Sequence, residues 1–154
     1  MKLAIRSNGE PGVKNLQRKF TKLAFDIKNR RPLFSRIGVL LLNAVAENFQ
    51  QQGHEGTPWQ ALSPRTVAGR RKGPGTGSAR ILEDTGELRR SFTMEATNES
   101  LRVGTAKIYA PPHEYGYKQI PQRKMLPSKK YGLQVAVDMA DKYLKEQIQK
   151  VKLG

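Results

Sequence analysis

Cysteine is absent from the 154 residues, which excludes a disulfide framework, a thiolate nucleophile and any thiolate-held zinc, haem or iron–sulfur centre. Long apolar runs are also missing. The longest, Val39 to Leu42, cannot span a bilayer, and the opening MKLAIRSNGEPG lacks the continuous apolar stretch of a signal peptide. No membrane partner is therefore expected, and the protein is expected to be made and used in the cytoplasm. Acidic residues are scarce, 13 Asp and Glu against 28 Lys and Arg, which gives a formal net charge of +15. Such a surplus on one small domain points to acidic partners: nucleic acid, anionic lipid or acidic protein surfaces. Aromatic residues make up only 7% of the chain, and no helix-turn-helix, zinc-finger or RNA-binding aromatic pattern is visible.

The residues that are present divide the chain into helical ends and a strand-bearing middle. Val13, Leu16, Phe20, Leu23, Ala24 and Ile27 recur at steps that place them on one face, predicting a helix over Gly12 to Asn29 with a basic outer face. Pro32 suits the first turn of a second helix, whose stripe is Phe34, Ile37, Leu41, Val45 and Phe49, and Gly53 is a candidate stop. Ser63 and Pro64 signal a short helix start, and Gly69 to Arg80 reads as a mobile basic loop. Alternation predicts strands at Ser91–Thr97, Leu101–Gly104 and Lys107–Ala110, with a hairpin turn at Asn98 to Ser100. Pro111, Pro112, Gly116 and Pro121 read as an irregular connection. A final helix opens near Ser128, with Leu133, Ala136, Val137, Ala140, Tyr143, Leu144, Ile148 and Val151 on one side. The expected fold is a single α+β domain in which N-terminal helices and a long C-terminal helix pack on a small, mainly antiparallel sheet. Leu41, Val45, Phe49, Trp59, Leu88 and Tyr109 are the expected core.

Catalytic signals are weak. His54 and His113 are each followed by Glu, but neither segment has the second His four residues on that a zinc-protease helix needs. GRRKGPGTGS lacks the Gly-Lys-Ser/Thr ending and the preceding strand of a phosphate-binding loop. Glu47, Glu55, Glu83 and Asp84 show no spacing that singles out a glycosidase-like pair. No metal, cofactor or catalytic residue is assigned. The informative charges are Arg65, Arg70, Arg71, Lys72 and Arg80, together with Arg123 before the last helix; these six are the candidates for facing a protein partner or DNA.

Five segments follow one another in a particular order: an F-x-x-x-G helix end at Phe49, GTPWQALSPRT, ILEDTGELRRSF, LRVGTAKIYAPPHEYG and IPQRKMLP, before a closing helix. In this order they resemble the virion morphogenesis family of tailed bacteriophages, also called tail completion proteins and typified by Mu-like phages. The likeness covers roughly the last two thirds of the chain. It implies a non-enzymatic structural protein that completes or terminates the tail and enables head–tail joining at the neck or connector. It also implies a homo-oligomeric ring, most often of six copies, in the virion at the head–tail junction. The implied partners are other copies of the chain, the tail tube or sheath, neck and connector proteins, and phage DNA passing through the ring. The reading that competes with it is a non-specific nucleic-acid-binding protein acting in assembly.

Overall fold

The computed structural model describes residues 17–19, 21, 24, 25, 28–72 and 78–153. Most of the helix expected over Gly12 to Asn29, and residues 73–77 of the expected basic loop, lie outside the described residues. The long helix α1 spans Arg31–Gln51, with proline in its first turn as anticipated. None of its own side chains caps it. Instead the Arg31 backbone N–H donates to Asn98 Oδ1 at 3.1 Å, so the turn of a distant hairpin supplies the acceptor. Its end differs from expectation, because the left-handed residue is Gln52 (φ 54°) rather than Gly53. Gly53 serves a different need: a Cβ there would sit 2.7 Å from the Thr57 carbonyl oxygen, across the first hairpin.

That hairpin pairs β1 (Gly53–His54) with β2 (Thr57–Pro58) in antiparallel register, turning through Glu55 and Gly56, both at positive φ. Trp59 follows it into the core. Helix α2 (Pro64–Lys72) starts where Ser63 was expected to cap, and Ser63 Oγ accepts the Thr66 N–H at 3.2 Å. Gly69 to Lys72, read from sequence as loop, are thus helical. The ILEDTGELRRSF segment forms a folded corner: Ile81 and Leu82 are buried, Gly86 takes φ 73°, and the one-turn helix α3 (Glu87–Arg90) returns Leu88 to the interior.

β3 (Thr93–Ala96) and β4 (Leu101–Gly104) form a second antiparallel hairpin, so the small sheet is two separate two-stranded ladders. It lies against α1, where Gly38 permits the approach: a Cβ at that position would collide with Met94 Sδ. Lys107–Ala110, expected as a strand, is a turn leading into helix α4 (Ala110–Tyr115). Two prolines in its first turn, read as breakers, occupy positions whose N–H groups have no helical partner in any case. Tyr109 is consequently its N-cap residue and 42% exposed, not core. Helix α5 (Lys129–Leu153) opens after Ser128, whose Oγ accepts the Tyr131 N–H at 3.2 Å.

Helices α1 and α5 run antiparallel. Arg36 meets Glu146 at 2.6 Å and stacks 5.4 Å from the Tyr143 ring, while Leu41 lies opposite Gly132. Leu41 is therefore only half-buried, and the expectation that it is core is corrected. The core lies toward the other end of α1: Val45 and Phe49 pack with Trp59, Ile81, Leu82, Leu88, Ala110 and Met125. Phe49 is completely buried, in edge-on contact with Trp59 and Phe92 at centroid distances of 5.4 and 6.0 Å. The Asn48 side-chain N–H, also buried, donates to the Met125 carbonyl at 2.9 Å.

Candidate partner interface

The six basic candidates divide by their contacts. Arg65, Arg71 and Lys72 are exposed on α2. Arg70 and Arg123 are drawn into the fold, and Arg80, itself exposed, is tied down by hydrogen bonds. Arg70 donates from Nη1 to the carbonyls of Ser78 (3.1 Å) and Arg80 (2.6 Å), and its Nε lies 3.9 Å from Asp84 Oδ1. Arg80 donates from Nη2 to the Phe49 carbonyl at 2.8 Å, and its Nε pairs with Glu83. Glu83, itself buried, also accepts from Arg89 at 3.2 Å, so one carboxylate is held between two guanidinium groups. These contacts fix the ends of the segment between α2 and the folded corner.

Arg123, expected to face a partner, is only 6% exposed. Its Nε and Nη2 each donate to the Gln60 carbonyl at 3.0 Å, with a longer bond from Nη2 to Ala61 (3.4 Å), and its backbone N–H donates to the His113 carbonyl at 2.6 Å. The side chain thus clamps the chain leaving Trp59 rather than facing outward. Among the described residues no carboxylate pairs with it, and burial, reinforced by the nearby Arg70 charge, lowers its pKa from the usual guanidinium range.

Arg70 and Arg123 share a cleft of about 540 Å³ with Asp84, Tyr109 and His113, walled by Leu62, Leu82, Leu88 and Ile120. The His113 Nδ1 atom is buried and has no hydrogen-bond partner among the described residues. Burial first, and the Arg123 charge second, hold the His113 pKa below the usual imidazole value. His113 shows no metal-site spacing in the sequence, and nothing there brings it near Arg123. The signal was faint, since ten residues and a turn separate them. His54 does have a structural place, with its Nε2 3.0 Å from the Leu126 carbonyl. Beside it Glu55 accepts the Ser128 N–H at 2.9 Å, and this bonding to Ser128 lowers the carboxyl pKa. Among the described residues no cluster of three or more His, Asp or Glu could hold a metal ion, and no helix is long and apolar enough to cross a membrane.

Among the described residues, two groups of large apolar side chains stand out as uncovered. One comprises Ile108 (92% exposed), Tyr115 and Tyr117 around α4. The other is a stripe on the outer face of α5: Leu133, Val137, Leu144 and Ile148. The apolar arc read from the α5 sequence is thus shared between two faces, with Tyr143 buried against α1, Ala136 and Ala140 half-buried, and Leu133, Val137, Leu144 and Ile148 open. Contiguous exposed apolar surface at helical spacing is the mark of an interaction face.

Comparison with known proteins supplies a context for these surfaces. The phage virion morphogenesis family matches residues 12–145. A "Mu-like prophage FluMu G protein 2" from Haemophilus influenzae (strain ATCC 51907 / DSM 11121 / KW20 / Rd) is 33% identical over 121 residues, covering 78% of each of the two chains. No solved structure matches.

Proposed function

The chain belongs to the phage virion morphogenesis family, and from that premise we propose that it is a structural subunit that completes the tail and makes it competent to join a filled head. The observation that carries this reading is the family match across residues 12–145, which includes every segment quoted above for the resemblance. In this reading the subunit sits at the head–tail junction of the virion, contacts tail and neck or connector proteins, and has no catalytic role. It acts as a closed ring of copies, six to match a six-fold tail.

A cyclic ring needs head-to-tail contacts between two unlike surfaces of one subunit. The two uncovered apolar regions, around α4 and along α5, supply such a pair of surfaces. A formal charge of +15 per copy opposes closure unless acidic surfaces or DNA in the ring offset it. The exposed row Arg65, Arg71 and Lys72 supports contact with DNA or with an acidic neighbour. Immunogold electron microscopy of purified virions, with antibody raised against this chain, tests the placement. Gold concentrated at the head–tail junction is the expected result; gold distributed over the capsid shell or at the distal tail tip contradicts it.

A further inference from the structure

Arg123 presents an unusual balance. Its guanidinium is buried, it is bonded only to main-chain carbonyls, and no acidic side chain pairs with it among the described residues. A buried cation without a counter-ion is costly, and such groups are ordinarily paired. Nη1 makes none of the hydrogen bonds of this side chain to the described residues, leaving donor capacity unused on a planar fork suited to a carboxylate. In the same cleft, the buried Nδ1 of His113 also lacks a partner among the described residues. Two polar side chains on two different segments thus line one cleft with hydrogen-bonding capacity left over among the described residues.

We propose that this cleft receives the carboxylate of an acidic residue carried on an apolar segment of a different protein of the particle. The walls suit side chains flanking that residue, because Leu62, Leu82, Leu88 and Ile120 line the cleft. A second copy of the chain is a poor donor, since it carries 13 acidic against 28 basic residues. Duplex DNA fits worse: it offers phosphates on a broad cylinder, which matches the exposed row on α2 but not a side chain at the back of a cleft with apolar walls. Asp84 does not satisfy Arg123, since it faces Arg70, with Oδ1 3.9 Å from Nε. The inference depends on the assembly reading only for where the segment comes from.

The test uses the full chain and two blocked pentapeptides, Gly-Leu-Glu-Leu-Gly and the same sequence with Gln in place of Glu, with the His113 ring protons followed by NMR. The Glu peptide should shift those resonances saturably and raise the titration midpoint of His113, because a nearby carboxylate favours the imidazolium. The Gln peptide should bind about tenfold more weakly, having lost the charge-assisted bond. Gln119→Trp, placed at an exposed turn position lining the cleft, should abolish the shift and leave the melting temperature unchanged. Equal binding of the two peptides, a His113 signal that neither moves, or a short DNA duplex that moves it as strongly would each overturn the proposal. Peptide failure with gold still at the head–tail junction removes the carboxylate site alone. Gold elsewhere with the Glu peptide bound removes the assembly reading and leaves the site standing.

Discussion

Truncating Phe49 to alanine removes the ring against which Trp59 and Phe92 each pack edge-on, in the cluster that also holds Leu88. The ring is fully buried, so little of the resulting space can be filled by solvent, and a Phe→Ala change in such a core costs about 3–5 kcal/mol. The two edge-on contacts, at 5.4 and 6.0 Å, each add about 0.5–1.5 kcal/mol beyond simple burial, which places the variant toward the upper end of that range. Against a total stability of about 5–15 kcal/mol, this loss consumes much of the margin. At about 2–4 °C per kcal/mol for a domain of this size, a cost of about 4–5 kcal/mol lowers the melting temperature by roughly 8–20 °C. Leu41→Ala on the same helix is the internal comparison, since Leu41 is half-buried and its truncation should cost about 1–2 kcal/mol. Urea titration of both variants, followed by far-ultraviolet circular dichroism, measures the difference. If Phe49→Ala is no more destabilising than Leu41→Ala, the core has been placed at the wrong end of α1.

Three further outcomes follow from other parts of the structure. Asn48→Ala leaves the Met125 carbonyl without its donor and should cost about 1–3 kcal/mol by the same titration, with Asn48→Asp worse because a carboxylate faces a carbonyl oxygen. His113 has a folded pKa below the usual value of about 6.5, so the unfolded chain takes up its proton first as pH falls. Stability should therefore decline from about pH 6.5 downward through the lower folded pKa, and His113→Gln should flatten that decline in thermal melts between pH 5 and 7. The triple change of Arg65, Arg71 and Lys72 to serine should leave the melting temperature within about 1–2 °C, since these residues are exposed. It should also reduce the slope of log affinity against log salt for duplex DNA by up to about 2.7, the value for three lost phosphate contacts.

The termini of the long helices were legible because their signals are local: Pro32 in a first turn, Ser128 and Ser63 as caps, and apolar spacing between them. The β3–β4 hairpin was legible for the same reason, with its alternation interrupted by Asn98, Glu99 and Ser100. Helix α4 was not, because paired prolines mean a break in mid-helix and a start at the first turn, and only the surroundings decide which. The inward stripe of α1 was drawn through Leu41, whereas the structure buries Asn48 instead; that substitution depends on one carbonyl, that of Met125, 77 residues away. The basic candidates show the limit most clearly. Arg65 and Arg123 carry the same charge in the sequence, and only the carbonyls of Gln60 and Ala61, brought close by the fold, turn Arg123 inward.

The assembly role meets its most direct test in the phage itself. The gene is deleted from the phage genome that carries it, phage production is started, and the lysate is examined by negative-stain electron microscopy, with the wild-type gene supplied in trans as the control. Filled heads lying apart from tails, or tails of irregular length, with joining restored by complementation, are the predicted result. Complete, joined virions in the deletion lysate would contradict the account.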